Sequence, residues 1–319
     1  LGGFVPTRRA HIVVPTPPPP AGSLYEEFLG GTDGRSVSTT MAFVRLLNKL
    51  MKDPALGRLI VPIIPDEART FGMEAMFRPF GIYSHVGQRY EPVDADQIAY
   101  YREAKDGQIL EEGITEAGSL SSFAAAGSAH ALHGVPTLPF FVFYSMFGFQ
   151  RVADLVWAAA DARTRGFIVG ATAGRTTLNG EGLQHQDGHS QLIAATVPSI
   201  VAYDPAYAYE IAVLVREGLR RMLGDGERAA EDVMFYLTIQ NENYAQPPMP
   251  VGVEEGIVRG LYRLSQSERV APRARVELLG SASILEVVRR AAQMLEERFE
   301  VAADVWSVTS YTELRRDAL

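Results

Sequence analysis

From about residue 59 to residue 239 this chain alternates short apolar runs with longer amphipathic stretches, and no other feature restricts its fold as strongly. Leu59 to Ile64, Thr137 to Tyr144, Gly166 to Gly170, Ser199 to Tyr203 and Val233 to Ile239 are short and apolar, and they read as buried strands. Ser119 to Leu132, Gln150 to Ala162 and the stretch after Asp204-Pro205 read as helices between them. Asp204 is expected to cap the last of these, with Pro205 at its first position. Such alternation predicts an α/β fold, a mostly parallel sheet flanked by helices on both faces. Upstream, Thr39 or Thr40 is placed to cap a helix whose apolar face is Phe43, Val44, Leu46, Leu47, Leu50 and Met51.

The flanks read differently. Residues 1–37 lack periodicity and carry Pro15, the run Pro17 to Pro20, and Gly30, Gly31, Asp33 and Gly34, so they are expected to form an extended Pro-rich arm or linker. Residues 38–244 are the main domain. After the break Gln246-Pro247-Pro248-Met249-Pro250, residues 245–319 are expected to form a second, short α/β domain. Its strand–helix–strand unit is Arg275 to Gly280, Ile284 to Arg298 and Val305 to Thr309. So short a domain is expected to be partial or to lean on a neighbour.

Composition narrows the function classes. The chain has no cysteine, which removes disulfides and thiolate metal sites. A net charge of −8 does not suit a phosphate-tracking surface, so no nucleic-acid partner is expected. No apolar run reaches membrane-spanning length and no signal-peptide pattern is present, so a cytoplasmic protein with no membrane partner is expected.

Open parallel sheets bind ligands in the loops after their strands. Asp66-Glu67, Glu116, Tyr144 to Gly148 and the long polar stretch Gly170 to Ser190 occupy such loops. Each has a plain alternative. Glu67 is equally suited to an ion pair with Arg69 or Arg78. Glu116 is equally a helix-start acid favoured by the dipole. Tyr144 and Phe147 are equally core aromatics. His185 and His189 lie four apart, but the glycines around them argue against a helical metal pair. Gly224-Asp225-Gly226 looks like the start of a diphosphate-metal motif, yet it follows a helical run and reads as a helix stop.

Several of these loops are similar to one family. Asp66 to Glu74, Gly107 to Glu116, Tyr144 to Arg151, Gly174 to His185, Tyr203 to Glu210 and Leu237 to Tyr244 resemble the thiamine-diphosphate-dependent decarboxylating first component of the pyruvate dehydrogenase complex, of the homodimeric bacterial type. The resemblance implies a transketolase-like pyrimidine-binding domain followed by part of the C-terminal domain. It implies thiamine diphosphate as cofactor, with Mg²⁺ held mainly by a partner domain that binds the diphosphate. The chain is then an excerpt or a separate subunit, paired as a homodimer within a heterotetramer, with a lipoyl acyltransferase as a further partner.

The resemblance also assigns roles. Glu116 donates a proton to the pyrimidine ring, which makes the cofactor's amino group basic. Tyr144 and Phe147 line the pyrimidine pocket, and Asp66 contributes to it. Glu67 is a second catalytic acid, and His185 faces the reacting centre. Asp94 and Glu181 lie in loops on the substrate side. The implied activity is oxidative decarboxylation of pyruvate with acyl transfer to lipoamide. A ligase that passes the two-carbon unit to a carbonyl acceptor, and a catalytically silent subunit, remain as alternatives.

Overall fold

The computed structural model describes residues 16–65, 68–93, 101–174 and 182–319. The chain opens with α1 (Glu26–Leu29), β1 (Ser36–Val37), α2 (Thr39–Met51), β2 (Ile60–Ile64), α3 (Glu74–Phe80), β3 (Ile82–Tyr83), β4 (Glu103–Ala104) and β5 (Leu110–Glu111). It continues through α4 (Glu116–His133), β6 (Leu138–Tyr144), α5 (Gly148–Asp161), β7 (Gly166–Ala171), α6 (Ser190–Ala194), β8 (Ile200–Tyr203), α7 (Ala208–Leu223), β9 (Met234–Thr238) and β10 (Tyr244–Ala245). The last stretch is α8 (Glu254–Arg259), β11 (Leu261–Ser265), β12 (Ala274–Gly280), α9 (Ile284–Phe299), β13 (Val301–Val308) and α10 (Tyr311–Ala318).

Six strands form one sheet in the order β5-β2-β6-β7-β9-β8, and every pair in it is parallel. The apolar runs explain why. Successive residues of a strand point to opposite faces, so a strand buried on both must be apolar throughout. Phe140, Val142, Phe167, Val169, Phe235 and Leu237 pack on one face with α2 and α7. Phe141, Phe143, Ile168, Met234 and Tyr236 pack on the other with α4 and α5. The ends of β6 and β7 that carry the polar loops are thereby held rigidly.

The second sheet is smaller, with order β11-β13-β12. Strand β12 runs parallel to β13, and β11 antiparallel. This unit does lean on its neighbour. Tyr203 donates its hydroxyl to the Val258 carbonyl at 2.8 Å, and Ser310 donates to the Ala202 carbonyl at 2.6 Å. Between the two sheets lies Glu210, fully buried at the start of α7. Its carboxyl accepts from Tyr262 at 2.6 Å, from Ser307 at 2.7 Å, and from the backbone N–H groups of Ala206 and Tyr207. Burial pushes its pKa up from the usual 4.5.

Four expectations need correction. Ser38, not Thr39 or Thr40, caps α2, its hydroxyl accepting from the Met41 N–H at 3.1 Å. Asp204 does not cap α7, which begins at Ala208 behind an extended Tyr207. The Glu210 side chain already occupies the N–H groups of Ala206 and Tyr207, and Asp204 turns instead to accept from Thr238. The last strand starts at Val301 rather than Val305, because Glu300 ends α9 in the left-handed region at φ 59°. The stretch before residue 38 is not extended throughout. Residues 22–29 form short helical turns, with Tyr25 and Phe28 buried. Strand β1 pairs antiparallel with β10, Ser36 opposite Ala245.

Candidate active site

Strand β6 ends at Tyr144 and α5 begins at Gly148, so only three residues make the turn that carries Phe147. The turn is tight because Gly148 sits against the ring of Phe143. A Cβ at that position would fall 2.0 Å from it. Tyr144 and Phe147 both remain half-buried, their rings edge-to-face with centroids 6.4 Å apart. His185 closes the group. Its ring lies 5.1 Å from Tyr144 and 5.0 Å from Phe147, edge-on to each. Phe71 backs Tyr144 from within the core at 5.1 Å.

Glu116 joins from the neighbouring strand's side. It is the first residue of α4, whose N-cap Thr115 accepts from the Gly118 N–H at 3.2 Å. The Glu116 carboxylate is ion-paired with Arg151. That guanidinium also lies 4.6 Å over the face of Phe147. Arg151 follows Phe147 by four residues, which puts both on one face of the same first turn. Acid, cation, three rings and imidazole thus form one connected line.

The turn that carries His185 is a single 3-10 turn, Leu183–His185, entered through Gly182 at φ 82°. It is fastened from behind. The Asp187 N–H donates to the Gly174 carbonyl at 3.1 Å. The buried Asp187 carboxylate accepts from the N–H groups of His189 and Ser190, each at 3.0 Å, and from the Ser190 hydroxyl. Tyr236 of β9 donates to that hydroxyl oxygen at 2.8 Å.

Of the residues singled out in the sequence, Glu116, Tyr144, Phe147 and His185 are brought together. Asp66, Glu67, Asp94 and Glu181 lie outside the described residues. Arg151, Gln150, Asp187 and His189 belong to the same neighbourhood, and sequence reasoning gave none of them a role there. Arg151 had a readable signal, its i+4 spacing from Phe147. Asp187 had a weaker one, an Asx residue followed by Gly-His-Ser ahead of a helix. Among the described residues no group of three His, Cys, Asp or Glu side chains is placed to hold a metal ion. Gly224 ends α7, and the Asp225 carboxylate is taken up by Arg220 at 2.9 Å and by the N–H groups of Glu227 and Arg228.

Two family models match the chain. Residues 22–247 match the pyruvate dehydrogenase E1 component middle domain, and residues 260–318 match the transketolase-like C-terminal domain. The chain belongs to the pyruvate dehydrogenase E1 component family. A relative from Pseudomonas aeruginosa, itself a pyruvate dehydrogenase E1 component, is 57% identical over 100% of this chain and 35% of its own length. One from Escherichia coli (strain K12) is 50% identical over 99% of this chain and 35% of its own length. The chain therefore spans about a third of these E1 components. The fold is the transketolase-like α/β fold. A transketolase from Campylobacter jejuni superposes with a TM-score of 0.64 at 15% identity, over 92% of this chain and 38% of that one. Among the described residues no helix is long and apolar enough to cross a membrane.

Proposed function

We propose that this chain is the pyrimidine-binding part, residues 38–244, of a thiamine-diphosphate-dependent pyruvate dehydrogenase E1 component, followed by part of the C-terminal domain, residues 245–319. The observation that carries the reading is the line Glu116, Arg151, Phe147, His185 and Tyr144, in the segments that follow β5, β6 and β7. Its chemistry suits an aromatic nitrogen heterocycle. Half-exposed rings offer faces for stacking, and an acid within reach of the same turn offers a partner for a ring nitrogen. When bound, thiamine diphosphate supplies the carbon nucleophile that lets a 2-oxo acid lose carbon dioxide.

The chain's own residues have four tasks in this reading. Glu116 exchanges Arg151 for the pyrimidine nitrogen and holds a proton on it. Phe147 and Tyr144 fix the ring plane and keep water from it. His185 holds or moves a proton on the substrate side. Glu67 and Asp66 add acids beside the ring, while Asp94 and Glu181 order over the substrate. Mg²⁺ and the diphosphate belong to a partner domain or chain. The acyl unit passes to lipoamide on a partner acyltransferase, and the enzyme works in the cytoplasm. The exposed face of α4, with Ala117, Ser121, Ala125 and Leu132 at helical spacing, supports docking of a second copy beside Glu116.

The test is a calorimetric titration of thiamine diphosphate with Mg²⁺, first into this chain and then into the chain assembled with the diphosphate-binding part. Tight binding is expected only in the assembly. Tight binding by this chain alone would sink the reading.

A further inference from the structure

The reading above uses His185 but leaves open what aims it. The 3-10 turn that carries it is one turn long and solvent-facing, with Gly182, Leu183 and Gln184 exposed. A turn that short has too few bonds of its own to hold a ring against two others. The stretch from Gln186 to Ser190 supplies the missing rigidity, and one buried side chain organises it.

We infer that Asp187 is the positioning residue for His185. The inference rests on His185 being an active-site residue and goes beyond it in naming what holds that ring in place. Three fastenings meet at Asp187. Its N–H ties the loop to the end of β7 through the Gly174 carbonyl, at 3.1 Å. One carboxylate oxygen takes the N–H groups of His189 and Ser190, each at 3.0 Å, and so caps α6. The other takes the Ser190 hydroxyl, which in turn accepts from Tyr236 in the middle of β9. The loop is therefore bolted to β9 and to the segment that follows β7, at a point two residues from His185.

A second clasp joins this anchor to the turn of Phe147. The His189 ring lies between the Asp187 carboxylate, 3.8 Å from its Nδ1, and the Gln150 amide, 2.9 Å from its Nε2. Gln150 also donates to the Met146 carbonyl at 2.7 Å, one residue before Phe147. With the Gln150 amide as donor, Nε2 of His189 is the acceptor and the ring proton sits on Nδ1, facing Asp187. The turns carrying Phe147 and His185 are thus locked to each other behind the rings, and Asp187 is the member of that lock with the most bonds. The bonds of Asp187 run to the backbone and to Ser190 rather than to the reacting centre, so it acts through His185.

The experiment is a double-mutant cycle in the complete enzyme, with Asp187→Asn, His185→Ala and the pair. Asparagine keeps the acceptor for the two backbone N–H groups but reverses the bond to Ser190, so the loop shifts without losing its cap. The single Asp187→Asn change is expected to lower kcat on the order of 100-fold, the size of effect an ångström of misplacement produces, with KM and cofactor affinity unchanged. In the His185→Ala background it is expected to cost nothing further. A purely structural role would cost the same factor in both backgrounds, and that result would overturn the inference. If His185→Ala alone has no effect, the role given to His185 fails instead, a separately readable outcome. A second readout needs no turnover. The His185 ring-proton signal, shifted by the rings of Tyr144 and Phe147, is expected to move toward its solvent position in Asp187→Asn. An unmoved signal overturns the inference. Should Asp187→Asn fail to fold, Ser190→Ala enters the same cycle with an expected loss on the order of tenfold.

Discussion

Glu116 and Glu210 both stand in the first turn of a helix on the same fold, and their surroundings are opposite. Every acceptor position of Glu210 is served by this chain, through two backbone N–H groups and two hydroxyls, with no solvent contact. Among the described residues Glu116 is paired with an arginine that is itself 46% exposed, and its helix presents small side chains to solvent on the adjoining face. A buried polar group with all its bonds made has finished its work when the chain folds. An acid held by a half-exposed cation has a bond it can exchange. The junction between the two sheets is complete, whereas the Glu116 end of the site is held by a single exchangeable ion pair among the described residues.

The contrast can be broken by substitution. The largest effect is expected for Glu116→Gln in the assembled enzyme, a loss of about 10²- to 10⁴-fold in turnover with unfolding unchanged. A variant that keeps most of its turnover would place Glu116 with Glu210 among the structural acids. Next comes Glu210→Ala, which strands two backbone N–H groups in a dry site. It is expected to cost about 2–4 kcal/mol in urea unfolding.

Glu210→Gln sharpens the same point. Its amide oxygen accepts the two N–H groups, its NH₂ donates to hydroxyls that can rotate, and the expected cost is under about 1 kcal/mol. The pH dependence should also change. Because burial raises the folded-state pKa of Glu210 above 4.5, its contribution is full below that value and declines as pH rises toward the folded pKa. The glutamine variant lacks this decline, so its stability relative to the parent should improve as pH rises from about 4.5. A constant difference in urea midpoints across that range would contradict the buried-acid account. The smallest effect is expected for Arg151→Met, under about 1 kcal/mol, since the guanidinium side of its ion pair is nearly half exposed. A loss above about 2 kcal/mol would mean that the Arg151 pair is structural and not exchangeable.

The sequence revealed this contrast unevenly. Thr137 to Tyr144 could be read as a central strand because burial on both faces leaves no room for polar residues. Glu116, Tyr144, Phe147 and His185 came from motif resemblance, and their convergence needed the tight turn at Gly148 and the loop behind His185. Glu210 sits within the quoted Tyr203 to Glu210 motif but drew no attention, because its hydroxyl partners lie 52 and 97 residues away. Asp204-Pro205 had the local signature of a helix start. A stronger competitor, Glu210, took the N–H groups it would have needed to share. Val301 to Asp304 carry no sequence mark of the strand's start, since the residue that ends α9, Glu300, is a non-glycine with positive φ.

The pairing of β1 with β10 places Ser36 opposite Ala245, so the larger sheet's unit enters and leaves at nearly one point. A block of chain with adjoining ends can be inserted between other domains, or cut loose from them, without stretching its interior. A split after Ala245 would strip Glu210 of Tyr262 and Ser307, so fusion is the route that hands on the six-stranded sheet intact.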